Sequence, residues 1–444
     1  MVEFHIKAKE SFAAHAEEIK QEVKAYALVN PRNSSFEIHP SDVINASDII
    51  GIPQITDREV DGTGTETGRF WMSGGHRVGW KGNSFQKIKQ LAQRMNDSKE
   101  LRDLVSESFV LDQVFFWLCE SLDGKCSLSL GDYVETRCNE AITDHEIYIP
   151  LWRTYSTSDF EIGTVRFKSI TKEFLNGWFL RELPKDEETR ARINQLEKDT
   201  RIKFQATLAA CVLVRGEKKK ADQIALQRAI DASALLRFLC LSNWTSKVKC
   251  FTQPWGMENT QRWHGFHLEN GQIKSLSSNG IAEGSTEWAI DEAVGLFPGL
   301  IEILSDLANS QKSPFRKSLL DSFYIYSRNS ITTNPSDKLV FILVALESLL
   351  VRDSSEPIQG NLAERIAFLV GTTLDERKRI VSTVRKIYGM RSKFVHHGQG
   401  LSDSDIFNEF LGIAWSCLFA LLKRRDEFNE CGDLIAKLDE LKLS

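Results

Sequence analysis

No apolar run in this 444-residue chain reaches the roughly 18 residues that a membrane-spanning helix needs, so no membrane association is expected. The opening Met-Val-Glu-Phe-His-Ile-Lys-Ala-Lys-Glu lacks the apolar segment of a secretory leader. None of the eight cysteines forms a Cys-x-x-Cys pair, which argues against zinc and for a reduced, cytoplasmic setting; neither cofactor nor metal is expected. The net charge of −5 excludes a globally basic coat for nucleic acid. Internal repeats and low-complexity tracts are absent. Glycines 62, 64, 68, 74 and 75 are followed by no Lys-Ser/Thr at Walker spacing and open no GxGxxG helix, so a surface loop is favoured over a phosphate cradle. Phe70, Trp71 and Trp80 flank that run beside Arg69, Arg77 and Lys81, an arrangement compatible with base stacking.

What is present is ordinary globular composition, long enough for two or three domains. The reading along the chain is α+β and multidomain. An α+β N-terminal domain spans 1–185, a mixed helical and β middle region 186–310, and an all-α domain 311–444. Within the first, one amphipathic helix is expected from Lys7 to about Leu28 and a helical stretch from Ser84 to Leu122. Strands are expected at His145–Tyr155 and Phe160–Ile170, the second with a bulge at Gly163 that reconciles its two apolar faces. Residues 191–239 read as a helical pair broken at Gly216–Lys220, 245–280 as β-rich, and 285–309 as helix. His264 and His267 stand three apart, but no third ligand lies nearby to make them a metal site.

The C-terminal region carries the strongest signals. Asn334-Pro335 reads as an N-cap with proline at N1, opening a helix whose Leu339, Leu343, Leu346 and Leu350 form one stripe. Glu347 sits on the adjacent stripe with Val340, Val344 and Val351. A later helix opens at Thr373, with Glu376 completing a capping box, and runs Ile380, Val384, Ile387, Arg391 along its apolar face before Gly398. An arginine on a core-facing stripe needs a partner or a use. Periodicity alone pairs it with Glu347. Between Glu376 and His397 there are seven Lys or Arg residues and one acid. Such a stripe is either a solvated helix face or a seat for a polyanion backbone, and its place beside Arg391 and His396 tips the reading toward RNA.

The runs Ala345-Leu-Glu347, Asn361-Leu-Ala-Glu-Arg365 and Tyr388-Gly-Met-Arg391-Ser-Lys-Phe-Val-His396 resemble the HEPN superfamily, in particular its Apea-like branch, from about Pro314 to the C terminus. The resemblance implies an all-α helical bundle with an R-x4–6-H motif, here Arg391 and His396, and an acidic position on an earlier helix, here Glu347. It also implies a metal-independent endoribonuclease that cleaves RNA by 2′-hydroxyl attack, works as a homodimer through its C-terminal helices, and serves as a toxin or anti-phage effector with an antitoxin or defence partner. The family often places Asn, Asp or His after the arginine, where this chain has Ser392. The alternative is a catalytically inactive HEPN-type RNA-binding or scaffold protein, with Arg391 and Glu347 as a structural ion pair. The motif recurs as Arg262-x4-His267 and Arg69-x6-His76, but only Arg391 closes a strongly periodic helix.

Overall fold

The computed structural model describes residues 2–26, 57–179, 186–250, 252–257, 263–269, 272–279, 287–310, 312–332, 334–353, 355–400 and 404–442. They belong to two units: 1–145 with 214–223, and 146–213 with 224–444. The architecture is mixed, with helices and small sheets before residue 290 and helices alone, among the described residues, from there onward.

In the first unit, helix α1 (Ile6–Lys20) precedes strands β1 (Lys24–Tyr26), β2 (Asp57–Val60), β3 (Glu66–Ser73) and β4 (His76–Lys81), then helices α2 (Asn83–Asn96), α3 (Glu107–Leu122) and α4 (Leu130–Ala141). α1 thus ends well short of Leu28, and the stretch expected from Ser84 to Leu122 is two helices. The sheet order is β1-β4-β3-β2, antiparallel throughout. Ser73 pairs with His76, so Gly74-Gly75 is the whole loop; φ of +55° and +81° is the left-handed geometry a two-residue hairpin requires.

Trp71 and Trp80 stack at 5.3 Å, with Phe115 edge-on to both at 6.2 and 5.9 Å, and Trp80 Nε1 donates to the Ile19 carbonyl at 2.9 Å. Phe70, Trp71 and Trp80 are all buried, so this aromatic group is core and unavailable to stack on bases. Asp61 Oδ1 accepts from the N–H groups of Thr63 and Thr65 at 2.8 and 3.0 Å. The amides that a phosphate would need are already turned onto a carboxylate; Gly62 and Gly64 lie in the loop between β2 and β3, Gly68 lies within β3, and Gly74 and Gly75 form the next turn.

In the second unit, which contains most of β5 (Thr143–Pro150) and β9 (Leu208–Gly216), the sheet order is β5-β9-β8-β7, with β7 at Phe160–Ile162 and β8 at Val165–Ser169. The expected single strand Phe160–Ile170 is therefore a hairpin. Gly163, at φ +62°, turns the chain so that Ile162 pairs with Val165 and Phe160 stacks on Phe167 at 4.9 Å. Both apolar faces are reconciled by reversal, not by a bulge. Residues 191–239 are corrected too. Helices α5 (Lys172–Phe179) and α6 (Glu187–Phe204) precede β9, and α7 (Lys218–Leu236) follows it. Leu208 to Val212 are all buried, and a strand covered on both faces reads as a continuous apolar run that periodicity cannot tell from a helix. A short β6 (Thr154–Tyr155) pairs with β12 (Trp288–Ala289), and β10 (Trp263–Glu269) forms a hairpin with β11 (Gln272–Asn279). Helices α8 (Ile290–Leu296) and α9 (Leu300–Asn309) complete the region.

The C-terminal helices are α10 (Pro314–Ile331), α11 (Pro335–Leu350), α12 (Ile358–Val370), α13 (Leu374–His397), α14 (Ser404–Lys423) and α15 (Cys431–Leu441). Asn334 caps α11 ahead of Pro335, and Leu339, Leu343, Leu346 and Leu350 are all buried as a stripe. α14 is long and apolar enough to cross a membrane, but Phe407, Phe410, Leu411, Ala414, Leu418 and Leu421 are buried in the protein. Two buried arginines tie the bundle. Arg316 reaches Asp426 at 2.6 Å and Asp306 at 2.9 Å. Arg365 binds Glu356 at 2.7 and 3.0 Å, Asp439 at 3.1 and 3.0 Å, and the Leu350 carbonyl at 2.7 Å.

Candidate functional site

The helix that carries Arg391 and His396 is well started and well stopped. Thr373 Oγ1 accepts from the Glu376 N–H at 3.2 Å, and Glu376 accepts in return from the Thr373 N–H at 3.2 Å, the reciprocal capping box read from the sequence. At the far end Gly398 turns left-handed at φ +65° and donates to the Phe394 carbonyl at 2.9 Å. Between these caps α13 stays α-helical through His397.

A regular helix divides its side chains between two sides. Ile380, Val384 and Ile387 are buried, and Arg391, next along that stripe, is half-buried. Lys378, Arg385, Lys386, Lys393 and His396 are exposed. Lys378 and His396 are eighteen positions apart, about five whole turns, so they share one line along the helix. Arg391 and His396 differ by five positions, about 140° around the axis. One chain therefore places the histidine on the basic solvent face and the arginine at the edge of the packed face.

The cations on this helix fall into two groups. Arg377 is engaged with the Gly371 carbonyl at 3.1 Å and the face of Phe368 at 4.5 Å. Arg379 pairs with Glu409 at 3.2 Å and Arg385 with Glu364 at 3.9 Å, exposed contacts worth at most about 1 kcal/mol. Among the described residues Lys378, Lys386 and Lys393 form no ion pair, and Arg391 forms neither ion pair nor hydrogen bond.

Glu347 is not the partner of Arg391. The Tyr388 hydroxyl donates to Glu347 Oε1. Burial, and then that carboxylate, push the Tyr388 hydroxyl far above the ordinary phenol range, while the positive charge of Arg391 opposes the shift. The valine stripe around Glu347 also differs from expectation: Val344 is 38% exposed and Val340 and Val351 half-buried, so Glu347 lies on a flank where no core face is interrupted. Glu347, Tyr388 and Arg391 thus form one local group, and His396, with His397 at 6.5 Å between ring centroids, stands apart from it.

Tyr388 was legible as the residue one turn before Arg391. Its role was not, because a phenol on a helix face signals packing as readily as a hydrogen bond. Arg365, which closes the Asn361–Arg365 run, stands between Leu362 and Ile366 on an apolar face, the same pattern that marks Arg391.

The competing motifs resolve differently. Arg69 is a buried structural cation on β3, paired with Glu66 and, at 2.5 Å, with Asp112; His76 is exposed beyond the hairpin turn. Arg262 and the side chains of His264 and His267 lie outside the described residues. Among the described residues no cluster of three His, Cys, Asp or Glu side chains has the arrangement of a metal site. The chain matches no protein-family model, no curated protein and no solved structure.

Proposed function

We propose that the chain is a HEPN-type, metal-independent endoribonuclease, acting as a toxin or anti-phage effector through a homodimer of its C-terminal helices. The observation that carries this reading is the exposed line Lys378, Arg385, Lys386, Lys393, His396 on α13, with Arg391, which has no partner among the described residues, about 140° around the same helix. Lysines without protein partners suit a phosphate backbone, and imidazole titrates where acid–base work is done.

RNA supplies its own nucleophile. His396 takes the proton from a 2′-hydroxyl, the freed oxygen attacks the adjacent phosphorus, and the P–O5′ bond breaks. The leaving 5′-oxygen takes up a proton, giving a 2′,3′-cyclic phosphate and a 5′-hydroxyl. Arg391 holds the phosphate oxygens with its guanidinium fork and stabilises their developing charge. Glu347 acts through Tyr388, which it orients beside Arg391, and is a positioning residue. Because Arg391 and His396 of one chain face different sides, the working cleft takes Arg391 from one copy and His396 from the other. A second reading, a catalytically silent HEPN-type RNA-binding or scaffold protein, is favoured by the same separation within one chain.

The test incubates the full chain and His396→Ala with mixed tRNA and mRNA in excess EDTA and maps the RNA ends. Cleavage by the wild type alone, leaving cyclic phosphates, is expected. RNA retention without cleavage by either protein supports the silent binder, and equal cleavage by both rejects His396. Mixing Arg391→Ala with His396→Ala separates the dimer model further, since only a shared cleft regains activity on mixing.

A further inference from the structure

In the first unit, α3 carries more apolar surface than its core face requires. Val110, Val114, Phe115, Trp117 and Leu118 are buried, yet Phe109 and Phe116 stay half-buried on another side of the same helix. Phe109, Gln113, Phe116 and Glu120 follow one another at intervals of four, three and four residues, so they form a single stripe. On α4 the residues Tyr133, Arg137 and Glu140 repeat the same spacing. A cleft of about 400 Å³ lies between the two stripes. Small-molecule sites commonly have volumes of about 300–1,000 Å³.

Contacts within the walls fix most of these side chains. Tyr133 is buried, and its hydroxyl donates to Glu120 Oε1 at 3.3 Å. The Arg137 guanidinium lies 5.3 Å from the centre of the Tyr133 ring and donates from Nη1 to Glu140 Oε2 at 3.2 Å. Phe116 meets Phe115 edge-on at 6.3 Å, which ties it to the core. The side-chain amide of Gln113 makes no hydrogen bond among the described residues.

The charges around the cleft do not balance. Two carboxylates and one cation line it. Arg137 and Glu140 satisfy each other, whereas Glu120 has only the neutral phenol and forms no ion pair among the described residues. Lys125, whose charge reaches Glu120, is bonded to Asp123 at 2.9 Å. A half-buried carboxylate beside aromatic rings favours a cation twice over, through its own charge and through the negative ring faces. Arg137 displays that preference within the molecule, a cation resting on one ring of the cleft beside one carboxylate. No cation among the described residues serves Glu120 and the rings of Phe109 and Phe116 in the same way.

We propose that the cleft between α3 and α4 binds an organic monocation with an aromatic body, an arylalkyl amine. The ammonium sits against the Glu120 carboxylate, the ring packs on Phe109 and Phe116, and the Gln113 amide meets a polar atom of the ring system. Other ligand classes fit the lining less well. An anion would face Glu120 and Glu140 while Arg137 is already engaged. A neutral apolar molecule would strip water from Glu120 and return nothing to it. A metal ion would make no use of the rings.

Three probes that share an indole ring test the proposal on the full chain: tryptamine, its neutral counterpart tryptophol, and the anion indole-3-acetate. Each is titrated by saturation-transfer NMR at neutral pH. Tryptamine is expected to bind about tenfold more tightly than tryptophol, the worth of one hydrogen bond to a charged group, and indole-3-acetate more weakly than both. Glu120→Gln, shown by circular dichroism to be folded, should remove tryptamine's advantage and leave tryptophol unchanged. Phe116→Ala should weaken both, a split that a general loss of structure would not give. In the wild type, no saturable binding of tryptamine, or binding of tryptophol or indole-3-acetate as tight as that of tryptamine, would overturn the proposal without recourse to any variant. Tryptamine binding untouched by Glu120→Gln would overturn it as well.

Discussion

Replacing Arg365 by methionine removes the charge at the centre of the C-terminal helices while keeping most of the volume. The guanidinium is 2% exposed and makes five hydrogen bonds, four of them to Glu356 and Asp439. Removing one partner of a buried ion pair costs about 3–5 kcal/mol, chiefly because the other partner is left buried and charged. Here the orphaned carboxylates retain some water, their side chains being 14% and 31% exposed, so the low end, about 3 kcal/mol, applies. Native-state hydrogen exchange resolves this locally: amides of α12 and α15 should exchange about a hundredfold faster in the variant. The pH dependence supplies the check on sign. Arg365 hydrogen bonds hold the Asp439 carboxyl below its ordinary range; at Glu356 burial pushes the carboxyl up, but hydrogen bonds from Arg365, the Arg352 N–H and Asn361, together with the Arg365 charge, bring it below. Depressed carboxylates stabilise the fold fully above their unfolded pKa, about 4, and lose that contribution as pH falls through the lower folded value. The difference between wild type and Arg365→Met should therefore be full at pH 7 and shrink on acidification below about pH 4. A difference under about 1 kcal/mol at pH 7, the range of an exposed pair, or one that widens in acid, would refute the reasoning.

Three further outcomes are expected. On the basic face, Lys378→Gln with Lys386→Gln should weaken RNA binding and lower the slope of log affinity against log salt by about 1.4, since each lost single-strand phosphate contact removes about 0.7; fluorescence anisotropy over a salt series measures it. In the first unit, Gly79→Ala sets a methyl group against the Arg69 carbonyl, with Phe70 Cδ1 and Cα at 2.7 and 2.8 Å, and should cost more than about 2 kcal/mol in a denaturant melt. Gly124→Ala, with open space around its Cβ position and φ +68°, should cost less, about 1 kcal/mol.

Much of the C-terminal region was legible because its information is local. Caps, proline at N1 and the terminal glycine act within four residues, and a leucine repeat of helical period needs no knowledge of what covers it. The Asn334 cap, the Thr373–Glu376 box, the Leu339–Leu350 stripe and the Gly398 stop all appear where the residues place them. Gly163 is the instructive intermediate case: the residue was marked, but bulge and hairpin use the same permissive glycine, and only the pairing of Phe160 with Phe167 distinguishes them. β9 was illegible because burial on both faces erases the alternation that identifies a strand.

The candidate site divides along the same line. Arg391, His396 and Glu347 were identified by type and spacing, and the 140° between the first two follows from helix geometry alone. Which charges meet is a different kind of fact. Opposite charges interrupting apolar patterns on two helices have many possible partners, and each buried cation takes the carboxylates that packing brings within about 3 Å. That contest gave Arg365 to Glu356 and Asp439, Arg316 to Asp306 and Asp426, and Glu347 to Tyr388, leaving Arg391 without a partner among the described residues. Local sequence chose the helices and their ends; long-range packing chose the partners, because hydrogen bonds and ion pairs form between groups whose separation along the chain carries no periodic signal.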